Sequence, residues 1–506
     1  MERMRDEHGR IDIRWLSDAC GGTISCKGEF PEQAVGELVI DSRVVKKGDI
    51  FVALRGENEN GEKYCGAAFE NGASAVICRR GAAEAPASGG VLIEVDDPLA
   101  AIQRAARASR LQGGYKVIGI TGSVGKTTVK ELCIGVLSRR YLTDGTRGNL
   151  NNALGLPLSI LNAFGEKMMH DFAGKRYRGK ERYLVLEMGI SVPGEMELLA
   201  DIARPDLAVI TNIGDMHAQT LGDRDNTARE KLKIAAYGCH ALLFDGDERI
   251  KRAACASYYR GVRFITVSHR LAEGEHALIK NVRHSDSVAD GGFDLEYTDQ
   301  NGKTLEFLRI TAPFAGEHAI NDSAYASLIG ALCGVSNSEV IRGISLYRAE
   351  GMRQRLVRDG EIYRLIDCYN SGPASVTAAL SALEIYAARY GCKRKVAVLG
   401  SMLELGEISE SEHMKLGKQL CSRGIGLVFT VGDDAKWIVT GAREAGFPAE
   451  NIVSYCSGDD FEKIREQIES NIFEGDIVLY KGSRGVGLER LIPIKGQGSL
   501  GFDGYG

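Results

Sequence analysis

The segment Thr121-Gly122-Ser123-Val124-Gly125-Lys126-Thr127-Thr128 constrains this chain more than any other. Glycines at this spacing let backbone N–H groups turn inward around phosphate oxygens, and a helix starting at the lysine adds positive potential. Such a loop works only between a buried strand and a helix. Lys116-Val117-Ile118-Gly119-Ile120 reads as that strand and Val129 to Leu137 as that helix. Gly122, Ser123, Gly125 and Thr128 are then expected to line bound phosphate, Lys126 to reach the β- and γ-phosphates, and Thr127 to offer its hydroxyl to Mg²⁺. The general pattern GxxxxGK places glycine at position 120, where Ile120 stands, flanked by Gly119 and Gly122. A plain glycine turn is the bland alternative. The loop alone names no reaction, because kinases, GTPases, motors and ligases all use one.

The chain around it alternates strands and helices. Tyr183–Glu187, Leu207–Ile210 and Ala241–Phe244 are nearly continuous apolar runs separated by helical stretches, and 261–311 is richer in β pattern. That alternation predicts a parallel sheet covered on both faces. Before it, strands are expected at 39–40, 50–54, 73–78 and 91–95, then a helix from Pro98 to Leu111 with Leu99, Ile102, Ala105 and Ala106 on one face. After it, strands at 362–366, 395–399, 427–431 and 476–480 suggest a Rossmann-like α/β unit without a GxGxxG turn. With 506 residues, about three domains are expected, placed at 1–113, 114–347 and 348–506.

Composition removes other classes. Hydrophobic residues at 44% and charged residues at 26% suit a folded globular chain. The 63 basic and 68 acidic residues nearly cancel, so nothing points to nucleic acid. No run of roughly 18 apolar residues predicts a membrane span. Met1 to Arg10 is charged and unlike a secretory leader, and the 12 scattered cysteines read as reduced thiols, so a cytoplasmic location is expected.

Several polar groups sit where the crevice of a parallel sheet would be. Glu187 ends a buried-type strand, and is either a Mg²⁺ ligand or a surface glutamate before a turn. His217, in Asn212-Ile213-Gly214-Asp215-Met216-His217, can bind metal, orient phosphate or simply be structural. Lys231 reads on its own as part of a solvated charged helix face. Asn149 and Asn152, in Asn149-Leu150-Asn151-Asn152, either cap a helix or offer donors and acceptors to phosphate and sugar.

Together these residues resemble the Mur ligase family, over about Asp41 to Leu491. Asp41 to Gly56 is similar to its uridine-nucleotide domain, which implies substrate contacts from Ser42 and Arg43. Thr121–Thr128 is similar to its phosphate loop, Ile120 included, and Asn149–Pro157 to its asparagine segment. The resemblance implies that Thr127, Glu187, His217 and Lys231 hold Mg²⁺, two ions in all, with Lys231 carbamylated. Lys233 stands where the family usually has an acid. Gly316–Asn321 resembles the segment whose asparagine, here Asn321, meets adenine. Met352-Arg353 resembles the arginine near the nucleotide phosphate. Asp367-Cys368-Tyr369-Asn370-Ser371-Gly372-Pro373 resembles the pattern of the dipeptide-adding branch, with Asp367 and Asn370 as substrate contacts and Ser371 and Gly372 as departures. Val398–Gly406 and Lys481–Arg484 match as well, although Ser401 replaces a common aspartate. The implied activity is ATP-dependent amide formation through an acyl phosphate, joining UDP-N-acetylmuramoyl-tripeptide to D-alanyl-D-alanine, by a monomer whose three domains close on one cleft. A ligase for another amino acid or folate, and a phosphate-loop NTPase switch, remain as alternatives.

Overall fold

The computed structural model describes residues 10–493 apart from 29, 32, 35, 57–58, 87–88, 166–180, 215–217, 256–258, 271–273, 284–291, 314–315 and 349–351. Three α/β sheets follow one another along the chain. The first has five strands in the order 23–26, 91–95, 75–79, 50–52, 38–39, and only its outermost pair, 23–26 with 91–95, is antiparallel.

The central sheet has nine strands. Lys116–Thr121 lies inside it, third from one edge, parallel to Arg182–Glu187 on one side and Leu207–Ile210 on the other. Leu142–Gly145 extends one edge, and Ala241–Phe244, Arg263–Ser268 and His276–Arg283 extend the other, all parallel. Gly292–Thr298 and Thr304–Thr311 then pair antiparallel, which is the β-rich stretch expected near 261–311. The chain leaves Lys116–Thr121 towards one edge and returns to the other side, so ligand binding is expected at the carboxyl end of this strand, where the order reverses.

The third sheet has six strands, parallel except for the hairpin Arg355–Asp359 with Ile362–Asp367. The strands that the sequence pattern does not announce, such as Leu142–Gly145 and Ile452–Tyr455, are short edges without a long apolar run.

Helix Pro98–Gln112 begins where expected, with Asp97 accepting from Leu99 N–H and Ala100 N–H and proline in the first turn. Its buried stripe runs through Ala101, Ile102, Ala105 and Ala106, whereas Leu99 is only half-buried. This helix packs on helices Gly155–Asn162 and Glu195–Ala203, so the apolar core runs unbroken from the first sheet into the central one. No helix among the described residues is long and apolar enough to cross a membrane.

Asn162 fastens the first sheet to the central unit. Its Oδ1 accepts from Leu38 N–H at 2.8 Å and its Nδ2 donates to Leu38 C=O at 2.9 Å, at the edge strand of the first sheet. Asn162→Ala strands both groups of a buried residue and should cost about 1–3 kcal/mol, read as an earlier onset of denaturant unfolding. An unchanged onset would show that the sheet is held without this clasp.

Candidate active site

The strand Lys116–Thr121 is buried from Val117 onward and delivers the loop to the carboxyl end of the sheet's interior. Ile120 is fully buried within that strand, so the loop turns only at Gly122. Gly122 has φ +145°, and a Cβ there would lie 1.9 Å from Thr211 Oγ1. Gly125 has φ +88°, and its Cβ would lie 2.8 Å from Asp322 Oδ1. Neither position admits a side chain without a shift of the loop. Thr211 and Asn212, which leave the adjacent strand, brace the turn: Asn212 Nδ2 donates to Val124 C=O at 2.9 Å and Asn212 Oδ1 accepts Val124 N–H at 3.0 Å. Ser123 N–H reaches Asn212 C=O at 3.1 Å, and Ser123 Oγ accepts Gly214 N–H at 2.8 Å.

Helix Lys126–Leu137 starts at Gly125 with no side chain capping it, which leaves its first N–H groups to a ligand. Lys126 Nζ folds back onto Gly122 C=O at 2.8 Å and Ser123 C=O at 3.2 Å. Burial pulls its basicity down, the charge of Glu187 pulls it up, and the charge of Arg353 pulls it down again. Thr128 meets Tyr347.

Glu187 is not a surface residue. It is 2% exposed, Oε2 accepts the Thr127 hydroxyl at 2.8 Å and Oε1 accepts Asn151 Nδ2 at 2.9 Å. A buried carboxylate and a hydroxyl at the mouth of a phosphate loop are the hard oxygen donors that Mg²⁺ takes together with phosphate oxygens, so these residues fit that ion. His217 lies outside the described residues. Among the described residues, no cluster of three acidic, histidine or cysteine side chains adds a further cation site.

Lys231 contradicts the solvated-face reading. It is 2% exposed on helix Arg224–Leu232 and donates to the same Gly122 C=O at 3.1 Å. Burial first, and the charge of Lys126 second, push its basicity well below that of an ordinary lysine. Lys233 points elsewhere, to Glu230 at 2.9 Å and Glu197 at 3.6 Å.

The third sheet faces this centre across a cleft. Asn321, on helix Glu317–Leu332, lines a cavity of about 630 Å³ whose opposite wall is formed by helices Pro373–Tyr390 and Ser409–Ser422. The Arg353 guanidinium stacks 3.9 Å over the ring of Tyr369, and Arg484 stands 5.9 Å from the same ring. Asp367 pairs with buried Lys481 at 3.0 Å. Lys481 also donates to Asn370 C=O at 2.5 Å, while Asn370 Oδ1 holds Ser371 N–H at 2.8 Å.

The remaining candidates sit apart from the loop or face other partners. Ser42 is buried beside the first sheet, while the Arg43 side chain is 85% exposed and clasps Asp41 at 2.7 Å. Asn149 is exposed. Asn152 caps helix Gly155–Asn162, accepting Leu154 N–H at 3.1 Å and Gly155 N–H at 2.8 Å. The asparagine that reaches Glu187 is Asn151, which the sequence pattern did not single out within its cluster. The bracing by Thr211 and Asn212 had one visible signal, polar residues ending a buried strand.

Sequence models of three Mur ligase regions match along the chain: the family's catalytic domain at 35–110, its middle domain at 120–330 and its glutamate ligase domain at 352–484. The UDP-N-acetylmuramoyl-tripeptide–D-alanyl-D-alanine ligase of Bacillus subtilis is 31% identical over 483 residues, covering 95% of this chain and 97% of that protein. The chain belongs to the Mur ligase family. Crystal structures agree: MurF from Acinetobacter baumannii superposes with a TM-score of 0.74 at 26% identity, covering 95% of this chain and 98% of that one. MurF from Thermotoga maritima, solved in complex with ADP, gives 0.68 at 26% identity, covering 90% and 96%. The Mur ligase middle-domain match contains the loop, Glu187, Lys231 and Asn321, and the glutamate ligase match contains Arg353, Asp367 and Asn370.

Gly122→Ala drives a methyl into Thr211. It should weaken ADP binding by roughly tenfold or more, as lost loop contacts imply, with an unchanged circular dichroism spectrum. Wild-type affinity by calorimetry would contradict the loop geometry.

Proposed function

We propose that this Mur ligase adds D-alanyl-D-alanine to UDP-N-acetylmuramoyl-tripeptide at the cost of ATP, in the synthesis of peptidoglycan precursors. One observation carries the reading: a phosphate loop with Glu187, Thr127 and Lys231 at its mouth sits in a chain that matches such a ligase over 95% of its length. We read 1–113 as the unit for the UDP-linked substrate, with Ser42 and Arg43 contacting it, 114–347 as the ATP unit and 348–506 as the unit for the incoming dipeptide.

In the first step the tripeptide carboxylate attacks the γ-phosphorus of ATP, giving an acyl phosphate and ADP. Two anions must approach each other, so the barrier is electrostatic. Lys126 and the open N-terminus of its helix stabilise the charge gathering on the γ-phosphate. Arg353, held on Tyr369 and close enough to lower the basicity of Lys126, adds a cation from the opposite side of the cleft. In the second step the neutral amine of the dipeptide attacks the acyl carbon. A tetrahedral intermediate forms, and its collapse makes the amide and expels phosphate. Asp367, Asn370, Asn149 and Asn152 are assigned to substrate contacts, and Asn321 to the adenine. Enclosure between the units keeps water from the acyl phosphate, and gathering the reactants can lower the barrier by up to roughly 7–11 kcal/mol.

Thr127, Glu187, His217 and Lys231 are assigned to two Mg²⁺ ions, which neutralise phosphate charge when bound. Carbamylation of Lys231 would add CO₂ to the neutral amine that burial favours, with loss of one proton, and leave an anionic oxygen ligand. We place the reaction in the cytoplasm and assign a monomer.

Phosphate release from ATP should require both the UDP-linked tripeptide and D-alanyl-D-alanine, and a UDP-linked pentapeptide should accumulate. Release indifferent to the dipeptide would refute the assignment. Lys126→Ala should cost on the order of a thousandfold in kcat/KM. With ¹³C-labelled bicarbonate, the protein should show one carbamate resonance that Lys231→Ala lacks; its persistence in that variant would remove Lys231 from the metal set.

A further inference from the structure

Asn321 lines the cavity between the central and third sheets, and the next residue, Asp322, packs against Gly125 of the phosphate loop. The amide therefore lies close to where a nucleotide's phosphates would end. Its orientation is set from behind. Asn321 Oδ1 stands 3.0 Å from Nε2 of His269, the residue just past strand Arg263–Ser268. Glu317 Oε1 lies 3.6 Å from the same ring nitrogen. An amide oxygen can only accept, so Nε2 is the donor in this contact.

That arrangement bears on the base. An asparagine amide pairs with adenine by accepting from the 6-amino group and donating to N7. Guanine presents two acceptors at the same edge, so a fixed amide sets oxygen against oxygen there. An amide free to turn could instead point its NH₂ at guanine. We propose that His269 is a positioning residue that locks the Asn321 amide, so that the cleft accepts adenine nucleotides and rejects guanine nucleotides. This rests on the ligase reading in one respect, that the base of the nucleotide occupies this cavity.

The test uses the whole protein and the variants His269→Leu, His269→Gln and Asn321→Ala. ADP and GDP binding is measured by calorimetry, and dipeptide-dependent phosphate release is measured with ATP and GTP. His269 is about one-third exposed, so the leucine variant should fold. His269→Leu should raise KM for ATP about tenfold, as one lost oriented hydrogen bond implies, with kcat little changed, and should lower KM for GTP, because the freed amide can turn its NH₂ to guanine. The ATP-over-GTP ratio then falls by at least that factor. His269→Gln, which keeps a donor, should recover most of the ratio, and Asn321→Ala should lose it. Equal losses with both nucleotides, or an unchanged ratio in His269→Leu, would overturn the proposal. So would wild-type discrimination in Asn321→Ala. The binding arm needs no acceptor substrate. An ADP-over-GDP preference that falls in His269→Leu, in a protein without dipeptide-dependent turnover, would support the proposal and sink only the ligase reading. Dipeptide-dependent turnover with a ratio that His269→Leu leaves untouched would do the reverse.

Discussion

Two lysine side chains converge on one carbonyl oxygen, that of Gly122: Lys126 at 2.8 Å and Lys231 at 3.1 Å. Both are removed from water; the charge of Lys126 makes that of Lys231 more costly, and the charge of Arg353 does the same to Lys126. Glu187 partly offsets this, but it is already engaged by Thr127 and Asn151. The centre is therefore short of negative charge, and an anionic ligand supplies what is missing. Two ion pairs of the third sheet are matched charge for charge: Arg364 with Glu469 at 2.8 Å, and Arg394 with Asp476 at 2.6 Å. Those pairs hold helices and strands together, whereas the unbalanced pair binds. Charge left uncompensated in a shielded crevice is what distinguishes a site from a brace.

The frame makes that imbalance sustainable. Glu187 ends one strand, Lys126 opens the helix that follows its parallel neighbour, and Lys231 comes from helix Arg224–Leu232. Glu187 is held by the sheet itself and the two lysines by helices packed around it, over an apolar core that reaches into the first sheet. The third sheet contributes from across the cleft, where stacking on Tyr369 fixes the direction of Arg353. A guanidinium so held loses less freedom when it meets phosphate, which is the advantage of preorganisation.

What was legible in the sequence follows the same physics. Central strands buried on both faces announce themselves as unbroken apolar runs, so 183–187, 207–210 and 241–244 were readable. The edge strands Leu142–Gly145 and Ile452–Tyr455 lack a long apolar run and were not. The phosphate loop was legible because its backbone demands glycine at fixed places. Lys231 was not legible from pattern, because helix Arg224–Leu232 is polar on most positions and a buried lysine leaves no periodic trace. Resemblance found it where periodicity could not. Among the asparagines of 149–152, spacing could not separate the cap from the partner of Glu187, because both roles ask for the same amide.

Three departures from the family pattern, at 120, 233 and 401, fall on positions whose work is structural. Ile120 is a buried strand residue, and the turn needs glycine only from 122 onward. Ser401 Oγ accepts Ala435 N–H at 3.1 Å, so its hydroxyl does a loop-closing task that a carboxylate can also do. Lys233 spends its charge on Glu230, whose other oxygen takes Gly194 N–H at 2.7 Å. That pair ties the helix carrying Lys231 to the start of helix Glu195–Ala203. A cation at 233 therefore anchors the lysine two residues earlier without entering its pocket, and the charge deficit around Gly122 C=O is left as the loop and the two lysines make it.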